Sequence, residues 1–296
     1  MANNFELLSK KIKLNKFLDE QKIPNKYKEC IRKLFNSIDY HLIIDNSFST
    51  INQLYTNSNN QTTIYNEIKN ITNYIFNLSK FLDKNGIDIL FLNNQLEATD
   101  VNDSKKLDEL FNSNSPINGY LTYLSENLNT ITNKITKLDK TAHYIIILTD
   151  GENTNGTDKF YEQIIETLKN ENIYVMVVVV NKDRDIIDTY KDMDKKKESR
   201  LDVKLCYEDE KDRNKSKDYT LQCYLAEIVI AAYYPDISKL NDNDNYNKES
   251  FLKTCLAGLL AGLFTVLYIA FLISLLSFIF TISIEYTFNQ FKILLN

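Results

Sequence analysis

At 296 residues, with 44 % hydrophobic and 25 % charged residues, the chain has the make-up of a globular protein long enough to bury a substantial core. A net charge of −5 argues against nucleic acid as the main partner, because nucleic-acid surfaces are met by clustered positive charge. The four cysteines, Cys30, Cys206, Cys223 and Cys255, form no Cys-x-x-Cys pair, which excludes a disulfide framework or a zinc knuckle and fits reduced thiols facing a cytosol.

The start of the chain lacks a charged segment followed by an apolar core, so no secretory signal is expected. Residues 5–38 read as two helical patterns broken at Ile23-Pro24-Asn25, the second with Tyr27, Ile31, Leu34, Phe35 and Ile38 on one face. From Tyr40 onward, strand and helix patterns alternate. Apolar strands are predicted near 40–45, 87–93, 143–149, 173–181 and 201–207, with a weaker one near 96–101. Helical spacing links Ile64, Ile68, Ile71, Ile75, Leu78 and Leu82, and again Ile117, Leu121, Leu124, Leu128, Ile131 and Ile135.

Strands such as Ile173 to Val180 are apolar on both faces, as expected when helices cover both sides of a mostly parallel sheet. The expected fold is therefore α/β: a doubly wound, mostly parallel six-stranded sheet with helices on both faces, plus one C-terminal transmembrane helix. A last soluble helix near 217–234 carries Leu221, Leu225, Ile228 and Ala232. After Pro235 the run Asn241-Asp242-Asn243-Asp244-Asn245 reads as a flexible linker. The chain thus divides into a helical extension (1–37), an α/β domain (38–235), a polar linker (236–253), an apolar segment (254–284) and a short tail (285–296).

Three stretches supply oxygen donors at the ends of predicted elements. Asp45-Asn46-Ser47-Phe48-Ser49 follows the first apolar strand, Ser115-Pro116-Ile117 precedes a helical pattern, and Thr149-Asp150-Gly151-Glu152 follows Tyr144 to Leu148. Oxygen-only donor sets suit a hard cation such as Mg²⁺, and loops beyond the carboxyl ends of strands are where open α/β sheets bind ligands. Taken singly, Asp150-Gly151 is a plain turn signal and Ser115-Pro116 a helix start. Their joint occurrence in this order selects Asp45, Ser47, Ser49, Ser115 and Asp150 as candidate metal ligands.

On these residues the chain resembles the von Willebrand factor A domain with its metal-ion-dependent adhesion site. Asp45, Ser47 and Ser49 match that family's Asp-x-Ser-x-Ser, and Asp150 matches the aspartate after an apolar strand. Ser115 stands where the family usually has Thr, with Ser113 and Thr122 as neighbouring hydroxyls for the same slot. The resemblance covers about residues 38–235. It implies Mg²⁺, with Mn²⁺ or Ca²⁺ as substitutes, held directly by the hydroxyls of Ser47, Ser49 and Ser115 and partly through water by the two aspartates. It also implies a protein partner whose exposed Glu or Asp completes the coordination, and no enzymatic activity.

The competing readings are a Mg²⁺-dependent phosphohydrolase of haloacid-dehalogenase type and a membrane scaffold with an unoccupied site. The phosphohydrolase pattern wants Asp-x-Asp, where this chain has Ser47 in the second place. His41 and His143 lie upstream of Asp45 and Asp150 on strands expected to be neighbours, so the two rings should approach each other in a structural role.

No Asp, Glu, Lys, Arg or His occurs from Thr254 to Ile284, 31 positions, against roughly 20 for a bilayer-spanning helix. The expectation is a single-pass, tail-anchored membrane protein with its N-terminal domain facing the cytosol. Gly258 and Gly262, one turn apart, offer a homodimer face.

Overall fold

The computed structural model describes residues 2–55, 61–93, 97–116, 122–135, 141–214, 218–235 and 237, with backbone alone at 2–5, 55 and 61. The linker, the apolar segment 254–284, Gly258, Gly262 and the tail lie outside the described residues. Among the described residues no helix is long and apolar enough to cross a membrane.

In chain order the elements are α1 (Ala2–Glu20), α2 (Asn25–Lys33), β1 (Ile38–Ile44), a 3₁₀ turn (Phe48–Ile51), β2 (Gln53–Tyr55), β3 (Gln61–Thr63), α3 (Ile64–Leu82), β4 (Ile87–Phe91), β5 (Glu97–Val101) and α4 (Ser104–Ser113). They continue as α5 (Leu124–Ile135), β6 (Ala142–Thr149), α6 (Thr157–Thr167), β7 (Ile173–Val179), α7 (Arg184–Lys195), β8 (Leu201–Lys204), α8 (Tyr207–Arg213) and α9 (Leu221–Ile230). The main sheet has six strands in the order β5-β4-β1-β6-β7-β8. β4, β1, β6, β7 and β8 are parallel, and β5 joins the edge antiparallel to β4. Counting only these six strands along the chain, the order is 3-2-1-4-5-6, which reverses direction between β1 and β6. That reversal is the crevice where doubly wound sheets bind ligands.

Alternation along the strands sorts the side chains. Ile43, Ile145, Ile147, Val175, Val177 and Val179 face α5, α6 and α7 through Leu128, Ile131, Phe160, Ile164, Ile187 and Tyr190, all buried. The opposite face carries Tyr40 and Tyr144, whose hydroxyls donate to the α9 carbonyls of Val229 and Ile228, each at 3.2 Å. The helix expected from Ile117 begins instead at Leu124, and residues 117–121 lie outside the described residues. Pairing of β2 with β3 was not anticipated. Each has three residues, too few to show a period of two.

The N-terminal helices belong to the packed body. α1 lies on α3, α2 lies on α9, and Phe17 meets the rings of Phe81 and Tyr74 at 5.7 and 6.5 Å. The strongest tie is at Glu227, fully buried in α9. Its carboxylate accepts from the Tyr27 hydroxyl of α2 at 2.6 Å and the Tyr219 hydroxyl at 2.9 Å, and pairs with the Lys204 ammonium of β8 at 3.0 Å. Burial would lower the Lys204 ammonium, but the charges of Glu227 and Asp202 outweigh it and hold it well above the ordinary lysine value.

Removing one partner of such a network leaves the others buried and uncompensated. Glu227→Ala should therefore cost about 3–5 kcal/mol in denaturant unfolding. Asp192→Ala, which breaks an exposed pair with Lys195 at 2.7 Å, should leave stability almost unchanged. Equal losses in the two variants would refute the role given to Glu227.

Candidate metal centre

Parallel pairing of β1 with β6 sets Ile44 beside Leu148, so both strands run out at the same level. The Asp45 amide donates to the Leu148 carbonyl at 2.8 Å, carrying the ladder one step further. The Asp45 side chain is then locked by two donors: the Thr149 hydroxyl to Oδ2 at 2.7 Å and the Ser47 amide to Oδ1 at 2.9 Å. The second bond closes an Asx-type turn, and the 3₁₀ turn that follows is fastened by the Thr50 hydroxyl donating to the Ser47 carbonyl at 2.6 Å. In consequence the hydroxyls of Ser47 and Ser49 stand 3.0 Å apart.

On the other strand, Gly151 adopts a φ of +91°. A Cβ there would stand 2.5 Å from Ile186 Cγ2 and 3.1 Å from the Tyr190 ring, so the turn that presents Asp150 requires glycine. The Gly151 amide donates to Thr149 Oγ1 at 3.0 Å, and Asn181 donates to the Asp150 carbonyl at 2.7 Å. Asp150 Oδ1 accepts the Glu152 amide at 3.2 Å, while Oδ2 is buried with no partner.

Asp45 and Asp150 are both buried, and no described ion pair includes either of them. Burial raises the Asp45 carboxyl. At Asp150, burial and then the negative charge of Asp45 push the carboxyl up to about 7. Two carboxylates and two hydroxyls, with a buried oxygen left over and no ion pair to either carboxylate among the described residues, fit a hard divalent cation. Among the described residues no group of three His, Cys, Asp or Glu side chains could hold a metal, so a cation here would lean on hydroxyls. Ser49, Asp150, Glu152, Asn181 and Lys182 line an open hollow of about 140 Å³ beside the two aspartates.

Asp45, Ser47, Ser49 and Asp150 therefore converge on one edge. Ser115 is exposed and follows Asn114, whose carbonyl accepts from Asn46 Nδ2 at 3.3 Å and from the Tyr65 hydroxyl at 2.8 Å. Ser113 is exposed at the end of α4. Thr122 is buried, and its amide donates to the Thr154 hydroxyl at 2.7 Å while its carbonyl accepts the Thr154 amide at 3.1 Å. Asn114 and Thr122 are thus each held by hydrogen bonds. Two contributors went unassigned in the sequence reading. Thr149 orients Asp45, and Asn46 holds the Asn114 carbonyl while its Oδ1 accepts the Asn93 amide at 3.0 Å. A polar residue ending an otherwise apolar strand was the signal for Thr149; Asn46 carried no signal beyond ordinary turn chemistry.

Two adjacent buried carboxylates destabilise the metal-free fold, because both must lose water and they repel each other. Asp150→Asn should raise metal-free stability by about 1 kcal/mol or more, measured by chemical denaturation with a chelator present. A lower midpoint in the variant would contradict the strain assigned to this pair.

The two histidines meet on the same strands, four residues before Asp45 and seven before Asp150. His41 Nε2 stands 3.1 Å from His143 Nδ1, and His41 Nδ1 stands 3.2 Å from Asp88 Oδ2. Burial would raise the Asp88 carboxyl, but the His41 hydrogen bond and charge outweigh it and hold it below the usual range. An ionised Asp88 accepts a hydrogen bond from His41 Nδ1, so His41 Nε2 accepts from His143 Nδ1 and His143 Nε2 is left buried without a partner. Asp39 faces His143 at 3.7 Å, and Glu97 and Lys134, paired with each other, line the hollow outside His41.

Burial, and then the nearby His41, lower the His143 imidazole to about 4. The folded state thus favours the neutral ring, and stability is lost as pH falls from about 6.5 towards about 4. His143→Gln should flatten the fall in melting temperature across that window, and an unchanged slope would refute this.

No family model and no curated protein matches the chain. Among solved structures, BatB from Bacteroides thetaiotaomicron is similar at 14 % identity and a TM-score of 0.44, covering 67 % of this chain and 99 % of that one. The SpRpn10 VWA domain is similar at 13 % identity and a TM-score of 0.42, covering 57 % and 87 %. Manganese-loaded TRAP protein from Plasmodium vivax is similar at 13 % identity and a TM-score of 0.40, covering 59 % and 70 %.

Proposed function

We propose that the edge formed by Asp45, Ser47, Ser49 and Asp150 holds Mg²⁺ and through it captures an acidic side chain of a protein partner, as in a von Willebrand factor A domain with a metal-ion-dependent adhesion site. The observation that carries this reading is the buried, partnerless Oδ2 of Asp150 beside a second buried carboxylate and two clustered hydroxyls. The third hydroxyl in this proposal is that of Ser115, with Ser113 and Thr122 as the alternatives. A cation bound largely by neutral hydroxyls keeps most of its charge available to an incoming carboxylate.

The reading is binding rather than catalysis. The phosphohydrolase pattern needs a second aspartate two places after the first, and Ser47 stands there. In the same proposal the apolar segment 254–284, about 46 Å long as a helix against a hydrocarbon core of about 30 Å, anchors the chain in a membrane.

The test is thermal unfolding of the full chain in detergent with Mg²⁺ or with a chelator. At a Mg²⁺ concentration a hundredfold above its dissociation constant, stabilisation should reach about 2.7 kcal/mol, and the double variant Ser47→Ala, Ser49→Ala should lose it. Absence of any Mg²⁺-dependent stabilisation in the native chain would favour the empty scaffold. Phosphatase turnover of a generic phosphomonoester that disappears in Asp45→Ala would favour the enzyme. Partner capture that needs Mg²⁺ and both serines would then identify the ligand.

A further inference from the structure

β8 is an edge strand of the main sheet. Its alternation sends Leu201 and Val203 to the apolar layer that includes Ile187 and Met193 of α7, and puts Asp202 and Lys204 on the face of α9, where Lys204 meets Glu227. Between β8, the end of α7, α8 and Pro235 lies a hollow of about 370 Å³, a size typical of small-molecule sites. Its wall holds three buried carboxylates, those of Asp202, Glu210 and Glu227.

The basic groups around these carboxylates are engaged. The Lys204 ammonium lies 3.0 Å from Glu227 Oε2 and 3.8 Å from Asp202 Oδ2. The Arg213 guanidinium is divided between Glu210 at 3.0 Å and Asp194 at 3.3 Å. At the mouth Lys195 pairs with Asp192 at 2.7 Å, Lys197 is exposed, and Glu198 accepts from the Tyr161 hydroxyl at 3.1 Å.

Asp202 is the group left short. It is 8 % exposed, its Oδ2 is buried without a hydrogen-bond partner, and 3.8 Å is too long for Lys204 to supply one. Burial outweighs the pull of Lys204 and, with the charges of Asp194, Glu227 and Glu210, raises the Asp202 carboxyl to about 7. An apolar strand that carries a carboxylate into such a place lacks both a positive charge and a hydrogen-bond donor.

We infer that this hollow binds a small primary amine as its ammonium ion, with the N–H donors on the Asp202 carboxylate and the carbon chain along Leu201 and Pro235. An anion would meet the three carboxylates. A bare metal ion is disfavoured, since among the described residues no group of three His, Cys, Asp or Glu side chains could hold one. A single under-served carboxylate suits the compact charge of an ammonium better than the wide fork of a guanidinium, and a charge-assisted hydrogen bond is the strong kind. The inference depends on neither the candidate metal centre nor the membrane anchor.

The experiment is calorimetric titration of the full chain, in a non-ionic detergent at pH 8, with n-butylammonium as the probe. Butanol serves as its neutral counterpart, and tetramethylammonium as a cation without N–H donors. Native chain should bind n-butylammonium saturably and ignore the other two. Asp202→Asn, which keeps the side chain's shape, should weaken binding by at least about tenfold while its unfolding midpoint without amine stays level or rises. Ser199→Trp, at an exposed position on the mouth, should block entry without touching the buried charges, and it carries the test alone where Asp202→Asn fails to fold.

No saturable binding by the native chain overturns the inference. So does equal binding by the Asp202→Asn variant, or an equal response to tetramethylammonium, which marks unspecific attraction to an acidic surface. An equal response to butanol overturns it in favour of an apolar hollow with no charge recognition.

Discussion

Placement of two carboxylates at the adjacent ends of β1 and β6 governs the upper edge of this molecule. The parallel register prepares it: with Ile44 opposite Leu148, Asp45 comes level with Thr149, and Asp150 follows one residue on. Burying like charges side by side opposes folding, so the surrounding chain is organised around donors. Thr149, Ser47 and Glu152 each give a hydrogen bond to one of these carboxylates, and Gly151 is fitted under α7 where a side chain would collide. What these donors leave undone is Asp150 Oδ2, and a cation is the natural complement of that residue of negative charge. The edge is therefore held in a shape suited to binding at some expense of stability.

A different solution operates at the buried charge on the opposite face. Glu227 is met by a lysine and two tyrosine hydroxyls, so its carboxylate is compensated within the fold. Because Tyr27 belongs to α2, Lys204 to β8 and Glu227 to α9, the network ties the N-terminal helices and the sheet edge to the last helix. The N-terminal segment, outside the family resemblance, is thereby a structural part of the domain's helical layer. The contrast is with Asp45 and Asp150, which no described ion pair includes, whereas Glu227 meets a lysine within the fold.

Most of this architecture was legible because its determinants are local. Five apolar runs and one weaker run became the six strands within a few residues, and Ile64 to Leu82, marked by regular apolar spacing, is α3 at those same limits. The approach of His41 to His143 followed from placing their strands side by side. Ile117 and Leu121 continue the spacing of α5 in phase, while the chain at Thr122 is held by Thr154 rather than by helix bonds. Periodicity records which residues could share a face; it does not record a competing partner distant in the chain. The Glu227 network was missed for the same reason, although a single carboxylate inside Leu225-Ala226-Glu227-Ile228 was a visible sign that a cation had to arrive from elsewhere. Ser115 was chosen for its proline neighbour, a local cue, whereas the fastening of Asn114 by Asn46 and Tyr65 depends on tertiary contacts that no local cue carries.

The polarity of the domain then follows from chain direction. Parallel strands put every carboxyl end on one edge and every amino end on the other, so a site made by strand termini and helices seated near strand origins are separated by the length of β1, seven residues or about 23 Å. α3 runs back across the sheet from the first edge to the second, and α1, packed along α3, is tied at Asn36 and Asp83 to the amino edge. The acidic, hydroxyl-lined edge and the N-terminal helix α1 are thus kept apart by the same connectivity that builds the core.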